Sequence, residues 1–171
     1  MGLGGIAKGY ALDRMRVLLV DAGVRDFVLY SGGQVLAEGT REGRAWRVGV
    51  QHPRDPGALL GALSITSGSV STGGDYEHCF TFEGRRFHHV IDPRTGWPVA
   101  HTASVTVVSR SAMEADALDT SLFVMPPAAA MAEARARGIA VLRTDPSMRS
   151  EATAEMRSML EARQPVELEP V

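Results

Sequence analysis

Between Gly23 and Ser111 the chain is cut so often by turn signals that only short strands fit. Ser31-Gly32-Gly33 divides DFVLY (26–30) from QVLAEG (34–39), and WRVGVQ (46–51) continues the pattern. HPRDPG (52–57), with two prolines and a glycine, reads as a loop before one longer strand, GALSITSGSVST (61–72). CFTF and RRFHHVI flank Glu83-Gly84, a two-residue hairpin signal. DPRTGWP (92–98) then requires an ordered turn, and SVTVVS (104–109) is a β-branched strand.

Helical spacing appears only outside this stretch. Ile6, Tyr10, Leu12, Met15, Leu18 and Leu19 predict a helix over residues 5–22 that Gly23 stops. SAMEADALDTSLFVM (111–125) predicts a buried helix ended by Pro126-Pro127, with Ser111 and Glu114 as a capping box. AAAMAEARARG (128–138) reads as helix, IAVLRT (139–144) as strand, 147–163 as a surface helix, and 164–171 as a frayed tail. The sum is an α+β fold, a largely antiparallel sheet with packed helices. With 171 residues, 44% of them hydrophobic, it has enough apolar material for one domain.

A formal net charge of −2 supplies no basic field for a nucleic acid or an anionic membrane. Cys79 is the only cysteine, so neither an internal disulfide nor a thiolate metal cluster can form. No window approaches the length of a transmembrane helix, and residues 1–8 show no export signal. The compartment stays open.

Four segments are richer in Gly, His, Asp and Thr than packing requires. In GGIAKGY (4–10), glycines at a helix start let a ligand approach the backbone and Lys8 can meet phosphate oxygens. A glycine-capped helix with a solvated lysine is the plainer reading. STGGDYEHCF (71–80) sets Thr72 and two glycines at a strand end, where an ordinary turn is the alternative. HHVIDPRTGWPV (88–99) places adjacent imidazoles in a strand, so His88 and His89 point to opposite faces and only one can address a given site. In AMEADALDTSLFVM (112–125), Asp116 and Thr120 lie one helical turn apart on one face, with Asp119 expected to point elsewhere. A carboxylate and a hydroxyl so stacked suit magnesium; a hydrogen bond between the two side chains is the competing account.

Taken in order, GGIAKGYALDR, SGGQVLAEG, WRVGVQHP, STGGDYE, HHVIDPRTGWPV and SVTVVSRSAMEADALDTSLFVM resemble the FAD:protein FMN transferase family, also called ApbE, over Leu3 to about Met125. The resemblance implies an ApbE-like α+β domain that takes FAD as substrate with Mg²⁺ as cofactor. Its reaction moves FMN to a threonine of an acceptor flavoprotein in a respiratory or electron-transfer complex and releases AMP. It also implies metal ligation by a backbone carbonyl at Gly5 and by Asp116 and Thr120. Nucleotide contacts are implied at Lys8 and Ile91, with Thr72 and Asp92 joining them as cofactor-binding candidates, and His89 is implied as the base.

The chain departs from the family pattern in three ways. Family members are about twice as long, with an N-terminal half before the glycine-rich helix. An aspartate two residues before the paired glycines is Gly2 here, and the serine after Thr72 is Gly73. The resemblance thus implies that the metal ligands are retained while part of the family's FAD pocket lies outside this stretch. The alternatives are an FAD-binding module without transfer, a half-enzyme completed by a second chain or a homodimer, and a hydrolase giving FMN and AMP. Many relatives are exported by a lipid signal upstream of this stretch.

Overall fold

The computed structural model describes residues 2–162, and the frayed tail expected at 164–171 lies outside them. The expected first hairpin forms between β1 (Phe27–Ser31) and β2 (Gln34–Glu38), with Gly32 and Gly33 both at positive φ in the turn. β3 (Trp46–His52) pairs with β4 (Asp55–Ile65), and β5 (Ser67–Gly74) returns to pair with β2. β6 (Cys79–Phe82) and β7 (Arg85–His88) make a separate hairpin turning at Glu83-Gly84. β8 (Ile91–Asp92) and β9 (Trp97–Pro98) clasp the Asp-Pro turn. β10 (Ser104–Ser109), α2 (Ala112–Val124), α3 (Pro127–Ala136) and β11 (Ala140–Thr144) follow, while α1 (Ala7–Asp21) precedes all strands.

The main sheet runs β1-β2-β5-β10-β11 and ends on β12 (Ser150–Ala152); every pairing in it is antiparallel. One face carries Val105, Val107 and Val141 against Leu118, Leu122 and Phe123 of α2 and Met131 of α3. The other carries Ala37, Val70 and Leu142 against a second sheet, where Val48, Val50, Leu63 and Ile65 of β3 and β4 meet them. Alternation along each strand feeds both clusters, so the main sheet is covered on both sides.

Four expectations are corrected. The 52–57 segment is mostly strand: β4 begins at Asp55, and two register shifts beside His52 absorb Pro56. The single strand expected over 61–72 breaks at Thr66 into β4 and β5, which belong to different sheets. Gly68 permits the crossing: its φ is +133°, and a methyl group there would stand 2.9 Å from the Ser109 carbonyl. The helix expected over 147–163 is instead β12, the short α4 (Ala154–Met159) and β13 (Leu160–Ala162). Pairing with β11 claims Ser150–Ala152, and Thr153 caps a helix that buries Met156. Finally, of the apolar series in α1 only Leu12 is buried, while Tyr10, Met15 and Leu18 face outward.

Gly9 explains that rotation. A methyl group on it would come within 2.2 Å of the Ala112 carbonyl, so α1 crosses the start of α2 at backbone contact. The expected cap of α2 is present with a detour. Ser111 accepts from the Glu114 amide, but the Glu114 carboxylate takes the Ser109 hydroxyl, whose oxygen in turn accepts from the Ser111 amide.

Candidate active site

The crossing of α1 and α2 brings the glycine-rich start of one helix to the acidic turn of the other. Asp116 is only 1% exposed; its Oδ2 accepts from the Gly9 amide at 3.0 Å and its Oδ1 from Lys8 Nζ at 2.8 Å. The Lys8 ammonium also approaches the Gly4 carbonyl at 3.4 Å. One turn along α2, the Thr120 hydroxyl lies beside Gly5, where an added methyl would sit 3.5 Å from Oγ1.

Asp119 does not point elsewhere. It stands three residues from Asp116, which also places it on the shared helical face. Its Oδ2 accepts from Ser71 at 2.6 Å and its Oδ1 from Thr120 at 2.8 Å. Burial raises its pKa to about 6, against the lowering effect of those two hydroxyls, and the nearby Asp116 charge adds to the rise.

These groups form one wall of a cleft of about 720 Å³. Gly5, Lys8, Thr72, His89, Ile91 and Thr120 all line it, so six of the eight residues singled out from sequence converge. Asp116 lies just beneath, reached through Lys8. Asp92 stays outside the cleft lining. Its carboxylate closes the Asp-Pro turn on Arg94, accepting from the amide and Nε at 2.9 Å and from Nη2 at 2.7 Å. The Arg94 side chain, then its amide, hold the Asp92 carboxyl at about 2.

The two histidines divide as strand alternation requires. His88 is buried against Phe123, with Nδ1 accepting from the Val90 amide and Nε2 placed to donate to the Val99 carbonyl at 2.8 Å. Both nitrogens are spent on structure. His89 opens into the cleft, edge-on to His78 at 5.4 Å between ring centroids. Partial burial, followed by the His78 charge, lowers the His89 pKa and so favours the neutral ring.

Three titratable cleft residues went unrecognised in the sequence: Asp119, His78 and Glu77. The i,i+3 spacing from Asp116 was the available signal for the first. His78 and Glu77 sit inside the STGGDYEHCF segment, but nothing local marks which way that loop faces.

The donor set fits a hard cation. Glycine carbonyl, carboxylate and threonine hydroxyl are oxygen ligands, and the Lys8 ammonium already stands against two of these kinds, the Gly4 carbonyl and Asp116. Among the described residues no group of three or more His, Cys, Asp or Glu could hold a metal. A magnesium ion here would therefore take further ligands from water or phosphate oxygens.

The ApbE family signature matches residues 1–143. The FAD:protein FMN transferase of Klebsiella pneumoniae (strain 342) is 37% identical over 139 residues, covering 80% of this chain and 40% of the relative. That of Rhodobacter capsulatus is 41% identical over 168 residues, covering 95% of this chain and 31% of the relative. The crystal structure of the ApbE protein of Thermotoga maritima superposes with a TM-score of 0.87 at 34% identity, over 93% of this chain and 53% of that one. The chain thus spans about a third to a half of the length of such relatives.

Proposed function

Since this chain belongs to the ApbE family, we propose that it provides the cation- and phosphate-binding half of an FAD:protein FMN transferase. In this reading FAD enters the cleft with its pyrophosphate over Lys8 and Thr120 and is cut to release AMP. FMN passes to a threonine hydroxyl of an acceptor flavoprotein.

Each residue has a task that follows from its chemistry. Asp116, Thr120 and a carbonyl at Gly4 or Gly5 would hold Mg²⁺, with Asp119 a further oxygen donor on the same face. Bound there, the ion would supply positive charge against the pyrophosphate oxygens. Lys8 adds a second positive charge from the rim. Thr72 and the glycines after it leave room for phosphate oxygens, and Ile91 offers an apolar contact to the nucleotide.

The neutral imidazole of His89 takes the proton of the acceptor hydroxyl as its oxygen bonds to the FMN phosphorus and the bond to AMP breaks. The observation that carries this reading is the convergence of Lys8, Asp119, Thr120 and His89 on one cleft, above Asp116. It is tested by incubating the chain with FAD, Mg²⁺ and an acceptor flavoprotein domain, then measuring AMP and covalent flavin. Matched amounts of both are expected. FMN and AMP without labelled acceptor would mean hydrolysis, and neither product with FAD bound would mean a binding module.

The outward Tyr10, Met15 and Leu18 of α1 favour one qualification. Exposed apolar side chains of this kind suit contact with further polypeptide, whether another stretch of a longer chain or a second copy. Activity that rises with the square of chain concentration would identify the copy.

A further inference from the structure

The β6–β7 hairpin pairs with no other strand among the described residues, so the outer edge of β7 is open. A groove of about 290 Å³ runs along it. Four successive residues, Arg85 to His88, border that space. Side chains on a strand alternate between faces, so an unbroken run can line a groove only along the strand's edge. Trp97, Pro98 and Val99 form the facing wall.

The groove is basic in a chain whose formal net charge is −2. Its one carboxylate, Asp75, is buried and held by Arg54 through two bonds of 2.6 and 2.7 Å. Arg86 reaches the same carboxylate only at 4.0 Å. Arg85 meets no carboxylate among the described residues; its guanidinium stacks over Phe87 and Trp97 at 5.9 Å from each ring. Three guanidiniums therefore face one carboxylate already in use. Phe80 and Phe82, on the same hairpin face as Arg85, are exposed beside them.

An open backbone edge, surplus positive charge and flanking aromatic rings suit an extended acidic peptide better than a free anion. The groove and the cleft share no lining residue, but they are neighbours along the chain. His89 directly follows β7, and the Val99 amide donates to the carbonyl of Val90, which lines the cleft.

We propose that the open edge of β7, with Arg54, Arg85 and Arg86, binds an acidic, extended segment of the acceptor polypeptide. The segment adds as a strand and brings its threonine hydroxyl to His89. This rests on the transferase reading for its purpose, but it is tested separately.

The probe is a short fluorescein-labelled peptide of Asp, Gly and Ala with one Thr, followed by anisotropy at low salt. Two control peptides carry Asn for every Asp, or Pro at alternate positions. Tight binding of the acidic peptide is expected, with roughly tenfold or greater weakening for each control and for a chain carrying R85E and R86E. That variant should still quench FAD fluorescence like the unaltered chain, whereas D116N should lose FAD affinity and keep the peptide. Failure of FAD binding alone would sink the flavin reading and leave the groove intact. Equal peptide binding by the R85E/R86E chain, no binding of the acidic peptide, or its displacement by millimolar inorganic phosphate would overturn the groove.

Discussion

Asp13 and Asp116 each cap the helix that carries the other. Asp13, in α1, accepts from the Ala112 and Met113 amides at 2.9 and 3.0 Å and from the Ser111 hydroxyl at 2.7 Å, all at the start of α2. Asp116, in α2, accepts from the Gly9 amide at the start of α1, a helix with no side-chain cap of its own at Ile6. Each carboxylate satisfies otherwise orphaned amides and lies at the positive end of a helix dipole. The crossing that builds the cleft is thus fixed by two acids, one of which, Asp116, also holds the Lys8 ammonium at its edge.

Asp13 stabilises without touching the cleft. Asp13→Ala leaves two backbone donors and a hydroxyl at the start of α2 without their acceptor, which should cost about 2 kcal/mol. Urea unfolding followed by circular dichroism measures it. A midpoint unchanged from the parent chain would show that water replaces the carboxylate at no cost.

Gly9→Ala should be worse than Gly5→Ala. At Gly9 the new methyl meets Ala112 backbone at 2.2 Å, which only a shift of one helix can relieve, at a cost of about 1–3 kcal/mol. At Gly5 it meets the Thr120 hydroxyl at 3.5 Å, an ordinary contact. Melting temperatures of the two variants should therefore separate, with Gly9→Ala the lower and Gly5→Ala near the parent chain.

Asp119 makes the stability of the metal-free chain depend on pH. Its folded pKa, about 6, lies above the ordinary carboxylate value of 3.8, so the folded state holds the proton more tightly. The associated stability is whole below pH 4 and is lost as pH rises through 6, on the order of 3 kcal/mol in total. Asp119→Asn should flatten that window in denaturant titrations. Magnesium, by favouring the charged form, should recover stability above pH 6 in the parent chain and less in the variant. A parent chain that gains stability from pH 4 to 6 relative to Asp119→Asn would reverse the sign and refute the assignment.

What the sequence made legible follows the range of the forces involved. SVTVVS and the 111–125 helix emerge at nearly their predicted limits, as β10 and α2, because β-branching, a serine cap and Pro126 act locally. The break at Thr66 was hidden because the two halves of that run are both good strands, and only the second sheet decides where each goes. The 147–163 segment misled for the same reason: its helical composition yields to the ladder with β11 and to burial of Met156. In the site, the Asp116 and Thr120 spacing was readable, whereas Asp92 looked available because the local clasp by Arg94 carries no sequence signature beyond the turn itself.

His78 tunes the residue proposed to take the proton. The lowered pKa of His89 has burial as its larger cause and the neighbouring His78 charge as the next. The transfer rate should therefore rise with pH along a limb whose midpoint lies below 6.5. His78→Ala removes the repulsion and leaves the backbone carbonyl that accepts from the His89 amide at 3.2 Å. The limb should move to higher pH with little loss of rate at its plateau. His89→Ala should instead lower the plateau by ~10²–10⁴-fold, keep FAD affinity, and lose the limb altogether. Rates at saturating FAD across pH 5–9 distinguish the two variants. If the limb persists unchanged in His89→Ala, another group carries the proton, and His78, the nearest imidazole in the cleft, is the one to replace next.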